Sequence, residues 1–221
     1  MKKICCIISA GDVDTQLLAK KKSKYNYFIA ADAGYEKALE AGITPSLVVG
    51  DFDSLSQHYQ MLNTSTAPEN STADIPAFVQ FPVEKDFSDT HLAIEEGIKL
   101  GYTQFEVYGA LGGDRFSHSI ANLQTLCTIK QNDISVTLIG MKEIIYLLRN
   151  EAITLTPPIH STFSVFSLSD KSDNVTILGA KYPLIDATLT NTFPLGVSNQ
   201  SISEALRISV KEGLLLVVLE F

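Results

Sequence analysis

Cysteine is scarce in this sequence, and what there is does not form pairs. The 221 residues include three cysteines: Cys5, Cys6 and Cys127. An odd number, with two members adjacent inside an apolar run, is no disulfide framework. No two of them have the C-x-x-C spacing of a zinc site. All three are expected as reduced, mostly buried thiols, which suits a cytoplasmic protein. Long hydrophobic runs are missing as well. The apolar stretch in MKKICCIISAGD is too short to span a bilayer and has no convincing signal-cleavage site. It reads as a first β-strand running into a glycine turn. Positive charge is in deficit: 17 Lys plus Arg stand against 25 Asp plus Glu, a net charge of -8. That balance argues against a broad basic patch, and so against nucleic acid or an anionic membrane as partner. A phosphate substrate stays open, because a divalent metal mediates between carboxylates and phosphates. There is no internal repeat and no long linker.

What is present is a large apolar fraction, 45% of the chain, enough to bury one large core or two small ones. Up to about residue 130, strand-like and helix-like segments alternate. Strands are predicted at Ile4 to Ser9, Tyr27 to Ala31, Leu47 to Val49, Phe78 to Pro82 and Phe105 to Tyr108. Helices are predicted at Asp14 to Lys22, Tyr35 to Ala41, Thr90 to Leu100 and Ser117 to Ile129, the last with Ile120, Leu123 and Cys127 on one face. Several end at a glycine, a natural terminator. This alternation implies an α/β domain with a mostly parallel sheet covered on both faces. Between Asn63 and Asp74 the polar NTSTAPENSTAD reads as an exposed loop. Beyond Asn132, short strand-like runs follow one another with turn-forming breaks, an all-β second domain built as a sandwich or barrel. The expected boundary separates residues 1–131 from 132–221.

The strongest chemical signal is Val48-Val49-Gly50-Asp51-Phe52-Asp53-Ser54, an apolar strand that delivers two aspartates at its carboxyl end. Open α/β sheets bind ligands at that edge, and hard oxygen ligands suit Mg²⁺. Continued strand geometry would put Asp51 and Asp53 on one face. Asp32 ends another strand beside Gly34, and Asp86-Phe87-Ser88-Asp89-Thr90 opens a helix. Taken singly, these are also good turn and cap residues, with Ser88 or Asp89 as the N-cap. Together, three acidic element ends point to a metal–phosphate site. Gly109 to His118, GALGGDRFSH, follows a strand and precedes a helix; its glycines let backbone N–H groups approach phosphate, and Arg115 adds a fork-shaped cation. The loop is neither G-x-x-x-x-G-K-[ST] nor G-x-G-x-x-G. His118 and Asn122 lie four apart on the helix, where a locally bonded histidine is the plainer reading. His91, Glu95 and Lys99 form a stripe expected on the solvent face of their helix. Lys85 and His58 are expected at the surface, and His160 in a turn.

In order along the chain, GDFDSL (Gly50 to Leu55), DFSDT (Asp86 to Thr90), GALGGDRFSHSIANLQTL (Gly109 to Leu126) and PLGVSNQ (Pro194 to Gln200) resemble the thiamine pyrophosphokinase family over nearly the whole length. That resemblance implies an α/β ATP- and Mg²⁺-binding catalytic domain, a β-sandwich domain for thiamine binding and dimerisation, and a homodimer. It implies transfer of pyrophosphate from ATP to the hydroxyl of thiamine, giving thiamine diphosphate and AMP. By motif, Asp51, Asp53 and Asp89 match the acids around Mg²⁺ and the ATP phosphates, and Asp32 matches the aspartate at the nucleotide site. Gly11, Gly50, Gly112 and Gly113 belong to the expected ATP site, and Arg115 is the arginine of the glycine loop. Ser117, His118, Ser198 and Asn199 are the expected thiamine contacts. Two positions depart from the family pattern: Ser117 stands where Asp is usual before His118, and Gln200 where Glu often follows Ser-Asn. Two competing functions fit parts of the pattern. A phosphatase would use Asp51 as nucleophile and Asp53 as acid. A nucleotide or thiamine sensor would bind without turnover.

Overall fold

Apolar runs that end in glycine or aspartate become, in the first half of the chain, parallel strands with their carboxyl ends on one edge. In a computed structural model, which describes residues 3–51, 76–82, 84, 87–130 and 134–221, two units separate: Met1–Thr125 with Ile139–Met141, and Leu126–Leu138 with Lys142–Phe221.

The first unit contains β1 (Ile4–Ile8), α1 (Thr15–Lys21), β2 (Tyr27–Ala31), α2 (Gly34–Glu40), β3 (Leu47–Gly50), β4 (Ala77–Gln80), α3 (Asp89–Lys99), β5 (Gln104–Tyr108) and the start of α4 (Phe116–Ile129). Every strand pairing among β1 to β5 is parallel, in the order β5-β1-β2-β3-β4. β1 lies between two neighbours, and Cys5, Cys6, Ile7 and Ile8 are fully buried, as expected for a strand covered on both faces. Burial pushes the Cys5 thiol up to about 12 and holds Cys6 well above its ordinary value. Both stay protonated core residues. Two of these helices start at side-chain caps. Asp14 Oδ1 accepts from Leu17 N–H at 2.9 Å, and Ser88 Oγ accepts from His91 N–H at 3.2 Å. α2 presses Tyr35 onto Ala30 and Val48, with Leu39 and Phe78 alongside.

The second unit carries β7 (Glu143–Arg149), β8 (Ala152–Leu155), β9 (Thr162–Ser167), β10 (Lys171–Leu178), β11 (Leu184–Thr190), β12 (Gly196–Gln200), β13 (Leu206–Ser209) and β14 (Leu214–Glu220), while β6 (Ser135–Ile139) runs across the boundary of the two units. β12-β9-β14-β7 pair antiparallel, and so do β11-β10-β13-β8. One core joins them: Phe163, Val165, Leu215 and Val217 from the first set meet Val175, Ile177, Leu206 and Ile208 from the second. That is a sandwich, its faces filled by alternate residues of each strand. The expected fold class therefore holds: an α/β amino-terminal part with a mostly parallel sheet and an all-β sandwich after it. No helix among the described residues is long and apolar enough to cross a membrane.

Two sequence expectations need correction. His91 is not on a wet helix face; it is 7% exposed, packed under the Phe87 ring with centroids 4.5 Å apart. It stands on the inward face of α3 with the buried Thr90, Ala93, Ile94 and Gly97. In α4 the buried residues are Ser119, Asn122, Leu126 and Ile129, while Ile120 is 42% exposed. The inward stripe thus begins with two polar side chains, which apolar periodicity does not reveal.

Candidate active site

Parallel strands bring their carboxyl ends together, and the residues that leave them form a cavity of about 330 Å³. Its walls come from Ser9 to Gly11 after β1, Ala31 and Asp32 at the end of β2, Ser88 to Thr90 at the start of α3, and Gly109, Ala110 and Gly112 to Arg115 after β5, with His118 and Asn122 from α4.

The walls are tied to one another by specific bonds. The Ser9 and Thr90 hydroxyls, both buried, are 2.9 Å apart, fastening α3 to the end of β1. Asn122 Nδ2 donates to Ala110 O at 2.8 Å while its Oδ1 accepts from Ser88 Oγ at 3.3 Å. One amide thereby links the glycine loop, α4 and the α3 cap. Asp32 N–H donates to Val49 O at 2.8 Å, and Asp32 adopts the left-handed backbone, φ 50°, which aspartate tolerates better than most residues. Beneath the glycine loop, Tyr108 and Tyr25 hydroxyls are 2.7 Å apart, and Tyr25 donates to Glu106 at 2.7 Å. Burial raises both phenols far above their ordinary value, so this pair remains neutral and hydrogen-bonded.

Two N–H groups of the glycine loop have partners within the protein. Gly112 N–H donates to Ser119 Oγ at 3.1 Å, and Gly113 N–H donates to Asp12 Oδ2 at 3.0 Å. These two donors are engaged by the protein's own side chains instead of facing a ligand. Both glycines have left-handed backbone, φ 73° and 77°, and a Cβ on Gly112 would come within 2.2 Å of Asp12 Oδ2. Glycine is required there by conformation and by space.

Of the residues expected in the site, Gly11, Asp32, Asp89, Gly112, Gly113, Arg115 and His118 line this one cavity. Gly50 and Asp51 stand one strand further along, at the end of β3. A Cβ on Gly50 would lie 3.3 Å from Asp32, so that strand end abuts the cavity wall without lining it. Asp53 lies outside the described residues, as do Asp86, Lys85, His58 and the segment from Asn63 to Asp74. Ser117 is exposed in the first turn of α4 and is not part of the lining. Ser198 and Asn199 belong to β12 of the sandwich. Ser198 has left-handed backbone, φ 54°, beside an irregular register between Gly196 and Asn199. The buried Asn199 amide accepts from Tyr182 N–H at 3.0 Å and from Gln200 N–H at 2.9 Å, and donates to Tyr182 O at 2.7 Å. In this chain it braces the strand. Sequence reasoning missed Asp12, Ser9, Thr90 and Ser119. The SAGD turn gave a local signal for Asp12, but its partner lies 101 residues away.

The donor chemistry fits a divalent hard cation. Asp32 and Asp89 present carboxylates from two different element ends to a single cavity, and oxygen ligands are what Mg²⁺ takes. Among the described residues, no three acids or histidines already stand together as a cation site.

Comparison with known proteins follows the same division. A family model described as "Thiamin pyrophosphokinase, catalytic domain" matches residues 18–138, more than half of the chain. The chain belongs to the thiamin pyrophosphokinase family. A second model of that family, "Thiamin pyrophosphokinase, vitamin B1 binding domain", matches residues 149–215. The thiamine pyrophosphokinase of Bacillus subtilis strain 168 is 26% identical over 196 residues, covering 88% of this chain and 87% of the relative. Among solved structures, thiamine pyrophosphokinase from Bacillus subtilis superposes with a TM-score of 0.83 at 24% identity, over 99% of each chain. Thiamin pyrophosphokinase from Candida albicans does so with a TM-score of 0.78 at 15% identity, over 100% of this chain and 90% of that one. At those identities the structural likeness speaks for the thiamin pyrophosphokinase fold. The family-model matches speak for the enzyme class.

Proposed function

We propose that this enzyme transfers the terminal diphosphate of ATP to the hydroxyethyl oxygen of thiamine, releasing AMP and thiamine diphosphate. The observation that carries this reading is the convergence of Gly11, Asp32, Asp89, Gly112, Gly113 and Arg115 on one cavity, inside the segment matched by the catalytic-domain model. Residues 1–131 act as the ATP- and Mg²⁺-binding catalytic domain. Residues 132–221 act as the thiamine-binding and dimerisation domain of a cytoplasmic homodimer.

The thiamine oxygen attacks the β-phosphorus in line. Its bond to phosphorus forms as the bond to the α–β bridging oxygen breaks, and AMP departs with that oxygen. Such transfer depends on positioning and on charge stabilisation more than on covalent chemistry. Arg115 offers its guanidinium to the migrating diphosphoryl group. Asp89, at the first turn of α3, accepts or orients the hydroxyl proton. Asp32 faces the nucleotide, with Gly11 and the Gly112–Gly113 turn shaping the wall for it. Asp51, Asp53 and Asp89 would hold magnesium, which would supply neutralisation of the triphosphate charge. Ser117, His118, Ser198 and Asn199 serve the thiamine side, Asn199 by bracing the strand that carries Ser198.

The deciding assay incubates the protein with ATP, MgCl₂ and thiamine and measures AMP and thiamine diphosphate. Equimolar appearance of both is expected. Phosphate release without thiamine would replace this reading with the phosphatase, and ligand binding without AMP would replace it with the sensor. Equilibrium sedimentation tests the homodimer.

A further inference from the structure

The glycine loop needs an outside tether. Gly112 and Gly113 are consecutive residues in left-handed backbone, the conformation that glycine reaches freely and also leaves freely. Nothing in their own side chains holds Arg115, two residues on, in one place. The fold supplies the restraint from two directions. On one side Ser119, buried in α4, accepts from Gly112 N–H. On the other, the turn after β1 is laced to the loop by Gly11 N–H to Gly109 O at 2.8 Å, by Asp12 N–H to Leu111 O at 3.1 Å, and by Gly113 N–H to Asp12 Oδ2 at 3.0 Å. The last of these is the one bond of the lacing made by a side chain, and the acceptor is an exposed carboxylate.

We propose that Asp12 is a positioning residue for the diphosphate transfer: as acceptor for Gly113 N–H, it fixes the Gly112–Gly113 turn and through it the placement of Arg115 over the cavity. This rests on the function proposed above. Asp12 does not line the cavity and touches no reacting atom. Its effect falls on the rate of the chemical step more than on ground-state affinity, because the transition state is what Arg115 must meet.

The test compares Asp12→Ala and Asp12→Asn in the AMP-release assay with saturating MgCl₂. Because the side chain is exposed, Asp12→Ala is expected to keep its thermal midpoint within about 2 °C of wild type. It is expected to lose roughly 10- to 100-fold in kcat, the effect of a small misplacement of a catalytic group, with KM for ATP and thiamine within about threefold. Asp12→Asn retains an amide oxygen as acceptor and is expected to restore most of the rate. Combined with Arg115→Ala, Asp12→Ala is expected to add little further loss, because two residues acting through one group are not additive. Three results would overturn the assignment: wild-type kcat in Asp12→Ala, an Asp12→Asn variant as slow as the alanine variant, or multiplicative losses in the double variant. If wild type itself releases no AMP, the proposed function falls first and takes this inference with it; that outcome is distinct from the other three.

Discussion

The two halves of the chain treat their polar side chains in opposite ways. In the α/β unit β1 to β5 run in one direction. Turn residues leaving their carboxyl ends therefore collect at a common edge, where Ser9, Thr90, Ser119 and Asn122 are buried as struts between loops. In the sandwich the strands alternate, so their ends are dispersed. There the buried polar groups fasten strand to strand: Ser167 and Ser172 hydroxyls are 2.8 Å apart, and Asn199 bridges to Tyr182. A parallel sheet concentrates chemistry at one rim, and an antiparallel sandwich converts the same residue types into rigidity.

This contrast is open to attack by mutation. The largest effect belongs to the sandwich core. Phe163 is fully buried in it, and Phe163→Ala is expected to remove about 3–5 kcal/mol of stability, read as a lower urea midpoint. The next belongs to the rim. Asp89→Asn is expected to reduce kcat roughly 100-fold or more with a nearly unchanged urea midpoint. Were the two phenotypes to exchange places, the division of labour would be wrong. Asn199→Ala strands the Tyr182 and Gln200 backbone groups, and about 1–3 kcal/mol of stability should go with it. A loss confined to thiamine KM would instead make Asn199 a ligand. The smallest effect is a pH dependence within the α/β unit. Burial lowers the pKa of His91, with the Glu95 carboxylate opposing. A histidine with a depressed folded pKa binds its proton more readily when unfolded. Its contribution is therefore complete above the unfolded value, about 6.5, and declines as the pH falls below it. Thermal melts between pH 7 and pH 5 should show a downward drift that is diminished in His91→Gln.

Much of the frame was readable from the sequence, because β1, β2, β3 and β5 are largely apolar runs punctuated by Gly or Asp, and those residues act through their own backbone. Asp32, Asp89 and Arg115 were readable for the same reason: they sit immediately beside an element boundary. What escaped were side chains whose role depends on a distant segment. Ser119 and Asn122 occupy the buried face of α4 where apolar residues are expected, His91 is covered by Phe87, and Asp12 answers to a glycine in another loop. The partners of the Gly112 and Gly113 N–H groups were not legible, because composition records the presence of an N–H and not its partner. Asn199 was read as a substrate contact from its motif, and two of its three hydrogen bonds reach Tyr182, which lies outside that motif.

The placement of β1 between β2 and β5 has a consequence for synthesis on the ribosome. Ile4 must await Gln104 to complete its ladder, so a growing chain that stops short of that point carries its first strand with one flank unpaired. A chain shortened before the fifth strand would expose that flank and lack the glycine loop that follows it, and one shortened before β14 would leave β7 and β9 each without a neighbour.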